Sequence, residues 1–115
     1  MDQNLTSSDI DAAKKQIETD VKSNSIMLYM KGKKYMPQCG FSAQVVHILS
    51  DLGVHFEAKD VLEDMALRQA IKDYSDWPTI PQLYVKGEFI GGCDIITELY
   101  ESGELKTLLC TSENV

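Results

Sequence analysis

Apolar residues along the chain alternate between two periods, and the changes of period mark out elements. Behind Ser7 and Ser8, either of which can cap a helix, Ile10, Ala13, Ile17 and Val21 fall on one helical face. SIMLYM (25–30) is a short unbroken apolar run, the pattern of a buried strand, and KGKKYMPQ (31–38), with Gly32, three lysines and Pro37, reads as a loop. From Cys39 the helical period returns, with Phe41, Val45, Leu49 and Leu52 on one face and Gly53 placed to stop it. VHFEAKDV (54–61) alternates as a strand does. Leu67, Ala70, Ile71 and Tyr74 then form the stripe of a third helix.

Pro78 and Pro81 interrupt any helix in DWPTIPQLYV, so QLYV (82–85) reads as a strand, and Lys86-Gly87-Glu88 turns it into a short strand in FIGG. Gly91 and Gly92 lead into a helix carrying Ile95, Ile96, Leu99 and Tyr100 that ends at Gly103. A last helix holds Leu105, Leu108 and Leu109. The predicted order is α-β-α-β-α-β-β-α-α. A helix joins the first two strands, which makes them a parallel pair, and the last two form an antiparallel hairpin. The expected fold is α/β: a four-stranded mixed sheet with helices on both faces. Residues 8–110 form one domain, 1–7 a flexible polar N-terminus and 111–115 a polar tail.

At 115 residues the chain suffices for one modest core. A net charge of -7 argues against nucleic acid or an anionic membrane as a general partner, although it leaves room for a small basic pocket. No apolar run approaches the roughly 20 residues of a membrane span. MDQNLTSSDIDAAKK resembles neither a secretory signal nor a transit peptide, so a cytoplasmic protein is expected. Cys39, Cys93 and Cys110 are too few and too widely spaced for a disulfide framework or a metal finger.

Cys39 carries the chemistry. In PQCGFS it stands where a loop becomes a helix, and the free N–H groups and positive dipole end of a helix start favour a thiolate. Lys31, Lys33 and Lys34 are placed to add positive potential. The competing reading is a cysteine buried as a small apolar side chain. Ser42 stands where a C-x-x-C pair would have its second thiol, so Cys39 cannot close a local disulfide. In WPTIP a cis bond at Pro81 would turn the backbone of Ile80 outward to pair with an extended peptide, while a plain proline-terminated loop is the alternative. GGCD (91–94) sets bare backbone at a helix start, suited to a carboxylate, with Asp94 either an ammonium ligand or an ordinary cap residue. Cys93 either packs behind this turn or lines a pocket. Cys110 is expected to pack.

CGFS (39–42), MKG (30–32), WPTIPQL (77–83) and GGCD (91–94), in this order and spacing, resemble the monothiol glutaredoxins of the CGFS class in their short single-domain bacterial form. The resemblance spans residues 8–110 and implies a thioredoxin-like glutaredoxin fold with a cis Pro81. It implies glutathione as ligand. Lys31 and Arg68 would take the glycyl carboxylate, the Thr79-Ile80-Pro81 backbone the cysteinyl unit, Gly92 and the Cys93 amide the γ-glutamyl carboxylate, and Asp94 the amino group. It further implies a [2Fe–2S] cluster shared at a homodimer interface. Cys39 would be the metal ligand from each chain, and two glutathione thiolates would complete the four. Phe41 and Trp77 are candidates to shield the cluster, or else pack in the core or at its rim. Cluster transfer to iron–sulfur acceptor proteins follows, with BolA-like proteins as heterodimer partners. The rival activity is glutathione-dependent thiol–disulfide exchange with Cys39 as the catalytic nucleophile, which the long loop KGKKYMPQ is implied to disfavour. A further possibility is resolution by Cys93, which requires Cα atoms within about 7 Å.

Overall fold

The computed structural model describes residues 5–113, with side chains described for 5–109. The elements are helix α1 (Ser7–Ser23), strands β1 (Ile26–Met30), β2 (Gly32–Lys33) and β3 (Met36–Pro37), α2 (Gly40–Asp51), β4 (Glu57–Asp60), a 3-10 turn (Val61–Glu63), α3 (Met65–Ser75), β5 (Gln82–Val85), β6 (Glu88–Gly91), α4 (Cys93–Ser102) and α5 (Glu104–Glu113). The main sheet runs β4-β1-β5-β6. β1 and β4 are parallel, with Met27 opposite Glu57, and the other pairings are antiparallel. This is the four-stranded mixed sheet with helices on both faces, a thioredoxin-like fold.

β1 is buried along its whole length because both faces of the sheet are covered. Its period of two divides the core. Ile26, Leu28 and Met30 pack with Val45, Leu49, Ile96 and Leu105 from α2, α4 and α5. Met27 and Tyr29 pack with Ile17, Val21, Leu67 and Ile71 from α1 and α3. Full burial of such a side chain contributes roughly 1.5–3 kcal/mol, so the carboxyl end of β1 is a fixed platform. The loop bearing Lys31 and Cys39 leaves from it.

Several local expectations are corrected. The cap of α1 is Thr6: its hydroxyl accepts the Asp9 N–H and the Asp9 carboxylate accepts the Thr6 N–H, each at 3.1 Å, a capping box that draws Ser7 and Ser8 inside the helix. The segment read as a plain loop contains a minimal hairpin, with Gly32 opposite Pro37. Pairing of β4 begins only at Glu57, and the Asp60 carboxylate, accepting the Leu62 N–H at 2.9 Å, already turns Val61 into the 3-10 turn. α5 continues to Glu113, three residues into the expected tail. Residues 1–4 and 114–115 lie outside the described residues, as does the side chain of Cys110. Among the described residues no helix is long and apolar enough to cross a membrane.

Candidate functional site

Cys39 is the N-cap residue of α2, in extended backbone at φ -151°. Burial pushes its thiol up. The backbone N–H groups of Ser42 and Phe41, the charge of Lys31 and the Ser42 hydroxyl outweigh that, and the net result lies below the ordinary thiol value. Cys39 makes no side-chain capping hydrogen bond, yet the helix start favours its ionised form.

Only one of the three loop lysines acts on this thiol. Lys33 pairs with Glu63 at 2.6 Å, and Lys34 bonds the Phe56 carbonyl while lying 4.2 Å over the Phe56 ring. The reason is the hairpin, which turns both side chains toward β4. Its root is fixed by three bonds. The Ser42 hydroxyl accepts the Lys31 N–H at 3.0 Å, the Gln38 N–H reaches the Lys31 carbonyl at 2.9 Å, and Asp60 accepts the Gly32 N–H at 2.8 Å. Gly32 has φ +91°, and a Cβ there would meet the Gln38 nitrogen at 2.5 Å, so no larger residue fits.

Beside the thiol is a cleft of ≈ 380 Å³. Lys31, Arg68 and Lys72 line it as cations, and no described carboxylate forms an ion pair with any of them. Thr79, Ile80 and Pro81 form its wall, with the Ile80–Pro81 bond cis. Gly92, Cys93, Asp94 and Ile95 complete its lining. Gly92 caps α4 without a side chain, so the helix start stays open. A Cβ on Gly92 would stand 3.3 Å from the Pro81 carbonyl oxygen and 3.4 Å from Trp77 Nε1, so the two walls approach closely there. The structure thus gathers every residue singled out from WPTIP and GGCD, with Lys31 and Arg68, around one cavity.

Cys39 and Cys93 both line an adjoining groove with Gln44 and Thr97. Burial pushes the Cys93 thiol up. The Thr97 hydroxyl opposes this, while the charges of Asp94 and Cys39 add to it. The two thiols are therefore unequal: the surroundings favour ionisation at Cys39 and oppose it at Cys93.

Phe41 corrects its stripe. It is 64% exposed and lines both cavities, whereas Val45 and Leu49 of the same stripe are buried. Trp77 is 36% exposed, with its ring 5.8 Å from that of Phe89. Sequence reasoning missed Lys72, although it lies four residues after Arg68 on α3, the spacing that puts two side chains on one face.

The family profile described as glutaredoxin matches residues 26–90. A ycf64-like monothiol glutaredoxin from Synechocystis, named as uncharacterized, is 58% identical over 84% of this chain and 90% of its own length. The probable monothiol glutaredoxin 2 of Rickettsia typhi is 55% identical over 83% of this chain and 86% of its own. The solution structure of reduced poplar apo GrxS14 has a TM-score of 0.78 at 49% identity, covering 89% of this chain and 94% of that one. A buckwheat glutaredoxin solved with glutathione shares the fold, with a TM-score of 0.85 at 22% identity over 95% of this chain and 97% of that one. With one thiol at the head of α2 and a serine in place of the second, the chain belongs to the glutaredoxin family, among its monothiol members.

Proposed function

We propose that the cleft binds glutathione and that Cys39 holds a [2Fe–2S] cluster as cargo between two copies of the chain, for delivery in iron–sulfur protein biogenesis. The charge pattern of the cleft carries this reading. Lys31, Arg68 and Lys72 suit the glycyl carboxylate. The open start of α4 suits the γ-glutamyl carboxylate and Asp94 suits its amino group. The wall from Thr79 to Pro81 suits the cysteinyl unit, which would run along it. The glutathione thiol then points toward Cys39.

The donor set fits a shared cluster. Among the described residues no group of three or more His, Cys, Asp or Glu could hold a metal ion. One chain therefore offers Cys39 as its thiolate, and a four-thiolate cluster needs a second chain and two glutathiones. Half of that ligand set is diffusible, which favours release over retention. Acceptor apoproteins and BolA-like partners belong to the same reading, as does the cytoplasm, a reducing compartment where free thiols persist.

The test is anaerobic reconstitution with iron, sulfide and glutathione, followed by visible absorbance. Wild type should take up cluster only with glutathione present, and Cys39→Ser should take up none. Equal uptake without glutathione would contradict the ligation.

The placement of Cys93 in the same groove as Cys39 favours one second reading, thiol–disulfide exchange. The Cys39 thiolate attacks the glutathionyl sulfur of a mixed disulfide and releases the substrate thiolate. A second glutathione thiolate then attacks that sulfur, yielding glutathione disulfide and restoring Cys39. Alternatively Cys93 attacks the Cys39 sulfur, releasing glutathione and leaving a Cys39–Cys93 disulfide. Fast turnover of a glutathione mixed disulfide would favour this activity over delivery.

A further inference from the structure

Segment 77–81 forms one wall of the cleft, yet two of its five residues are prolines and donate no backbone hydrogen bond. Ile80 and Pro81 are buried, but the side chains of Trp77, Pro78 and Thr79 are exposed, so little apolar burial holds the stretch 77–79. What holds it lies behind, on β5. Gln82 is fully buried, and its amide nitrogen donates to two carbonyls of the wall, Trp77 at 3.1 Å and Thr79 at 3.2 Å. Its amide oxygen accepts the Tyr84 hydroxyl at 3.1 Å. The two carbonyls fix which way the amide faces, since a flipped amide would set its oxygen against them, and the Tyr84 hydroxyl then satisfies the amide oxygen. From the other side the Trp77 N–H is held by the Ser75 hydroxyl at 3.1 Å and by the Lys72 carbonyl at 3.2 Å.

We infer that Gln82 is a positioning residue for the ligand cleft: its buried amide, completed by Tyr84, holds the Trp77 and Thr79 carbonyls and so sets the course of the 79–81 wall against which the ligand lies, without touching the ligand. A fully satisfied buried polar group of this kind specifies one geometry, because every alternative leaves a carbonyl or an N–H unpaired. The inference rests on the reading that the cleft binds glutathione, but it has a readout of its own. Trp77 is the only tryptophan in the chain, and its carbonyl is one of the two that Gln82 holds.

The experiment compares wild type with Gln82→Met, which keeps the length of the side chain and removes the amide. Folding is checked by far-UV circular dichroism. Acrylamide quenching of Trp77 is measured without ligand, and glutathione affinity by calorimetry. In folded Gln82→Met the quenching constant should rise by about twofold and the glutathione Kd by about tenfold, whereas a merely structural role would lower thermal stability and leave both unmoved. Should Gln82→Met fail to fold, Tyr84→Phe carries the same two measurements. It keeps both amide donors to the wall and leaves the buried amide oxygen without its donor, so its Kd should rise by about threefold. Either readout unmoved in the folded variant overturns the inference. If wild type itself does not bind glutathione, the proposed function falls, and the quenching result alone decides whether Gln82 holds the wall.

Discussion

The Ser42 hydroxyl accepts the backbone N–H of Lys31 at 3.0 Å from a fully buried position in the first turn of α2. The residue that stands where a second thiol would be is thus a latch between the end of β1 and the helix that presents Cys39. Its hydroxyl proton remains free to favour the Cys39 thiolate. Ser42 denies Cys39 a local disulfide partner, and it also builds the site. Ser42→Ala should cost about 1–2 kcal/mol in denaturant unfolding, because it leaves a part-buried N–H unpaired. It should also move the Cys39 alkylation midpoint to higher pH.

The two described cysteines should alkylate at different pH. Cys39 is lowered and Cys93 raised, so a limiting dose of iodoacetamide near neutral pH should mark Cys39 first, read by peptide mass spectrometry. Lys31→Met should narrow the gap by raising Cys39. The sign carries through to stability. The folded chain gives up the Cys39 proton more readily than the unfolded one. The stabilisation is therefore fully present above the unfolded thiol pKa of about 8.5 and is lost as pH falls through the lowered folded value. The stability difference between wild type and Cys39→Ser should shrink with acidification across that window.

Arg68 and Lys72 face the cleft from one side of α3. Removing either should weaken glutathione binding by about tenfold, the loss of one charge-assisted contact at a partly exposed site. Arg68→Lys should recover only part of it, since an ammonium does not reproduce a two-point contact with a carboxylate. Calorimetry at two salt concentrations checks this, and the wild-type advantage should shrink at high salt.

One oxygen of Asp60 accepts both the Gly32 N–H at 2.8 Å and the Leu62 N–H at 2.9 Å, tying the hairpin root to the end of β4. Asp60→Ala should lower stability by about 1–2 kcal/mol and raise amide exchange across residues 31–38. Asp60→Asn keeps a carbonyl acceptor and should retain most of the wild-type protection. Equal exchange in all three proteins would show that the hairpin is held by other contacts.

The parts of the fold legible in the sequence are those whose period is set by a two-sided core. SIMLYM reads as a buried strand because β1 is covered on both faces, and Leu67, Ala70 and Ile71 read as a stripe because α3 packs on one. Cys39 is legible as a helix start because Pro37 and Gly40 bracket it with backbone punctuation. Where the reading fails, the deciding partner is remote in sequence. Phe41 satisfies the helical period yet stays exposed and lines the two cavities. Lys33 and Lys34 look like neighbours of the thiol until Glu63 and Phe56 turn them away. Gln82 reads as an ordinary strand residue, and only the folded wall of 77–79 gives its amide two acceptors.

The central claim is a stoichiometry, and native mass spectrometry of the anaerobically reconstituted protein measures it directly. The expected species is a dimer carrying one [2Fe–2S] unit and two glutathiones. It should collapse to cluster-free monomer when glutathione is removed, and it should be absent in Cys39→Ser. A cluster-bearing monomer, or a dimer that keeps its cluster without glutathione, would contradict the account.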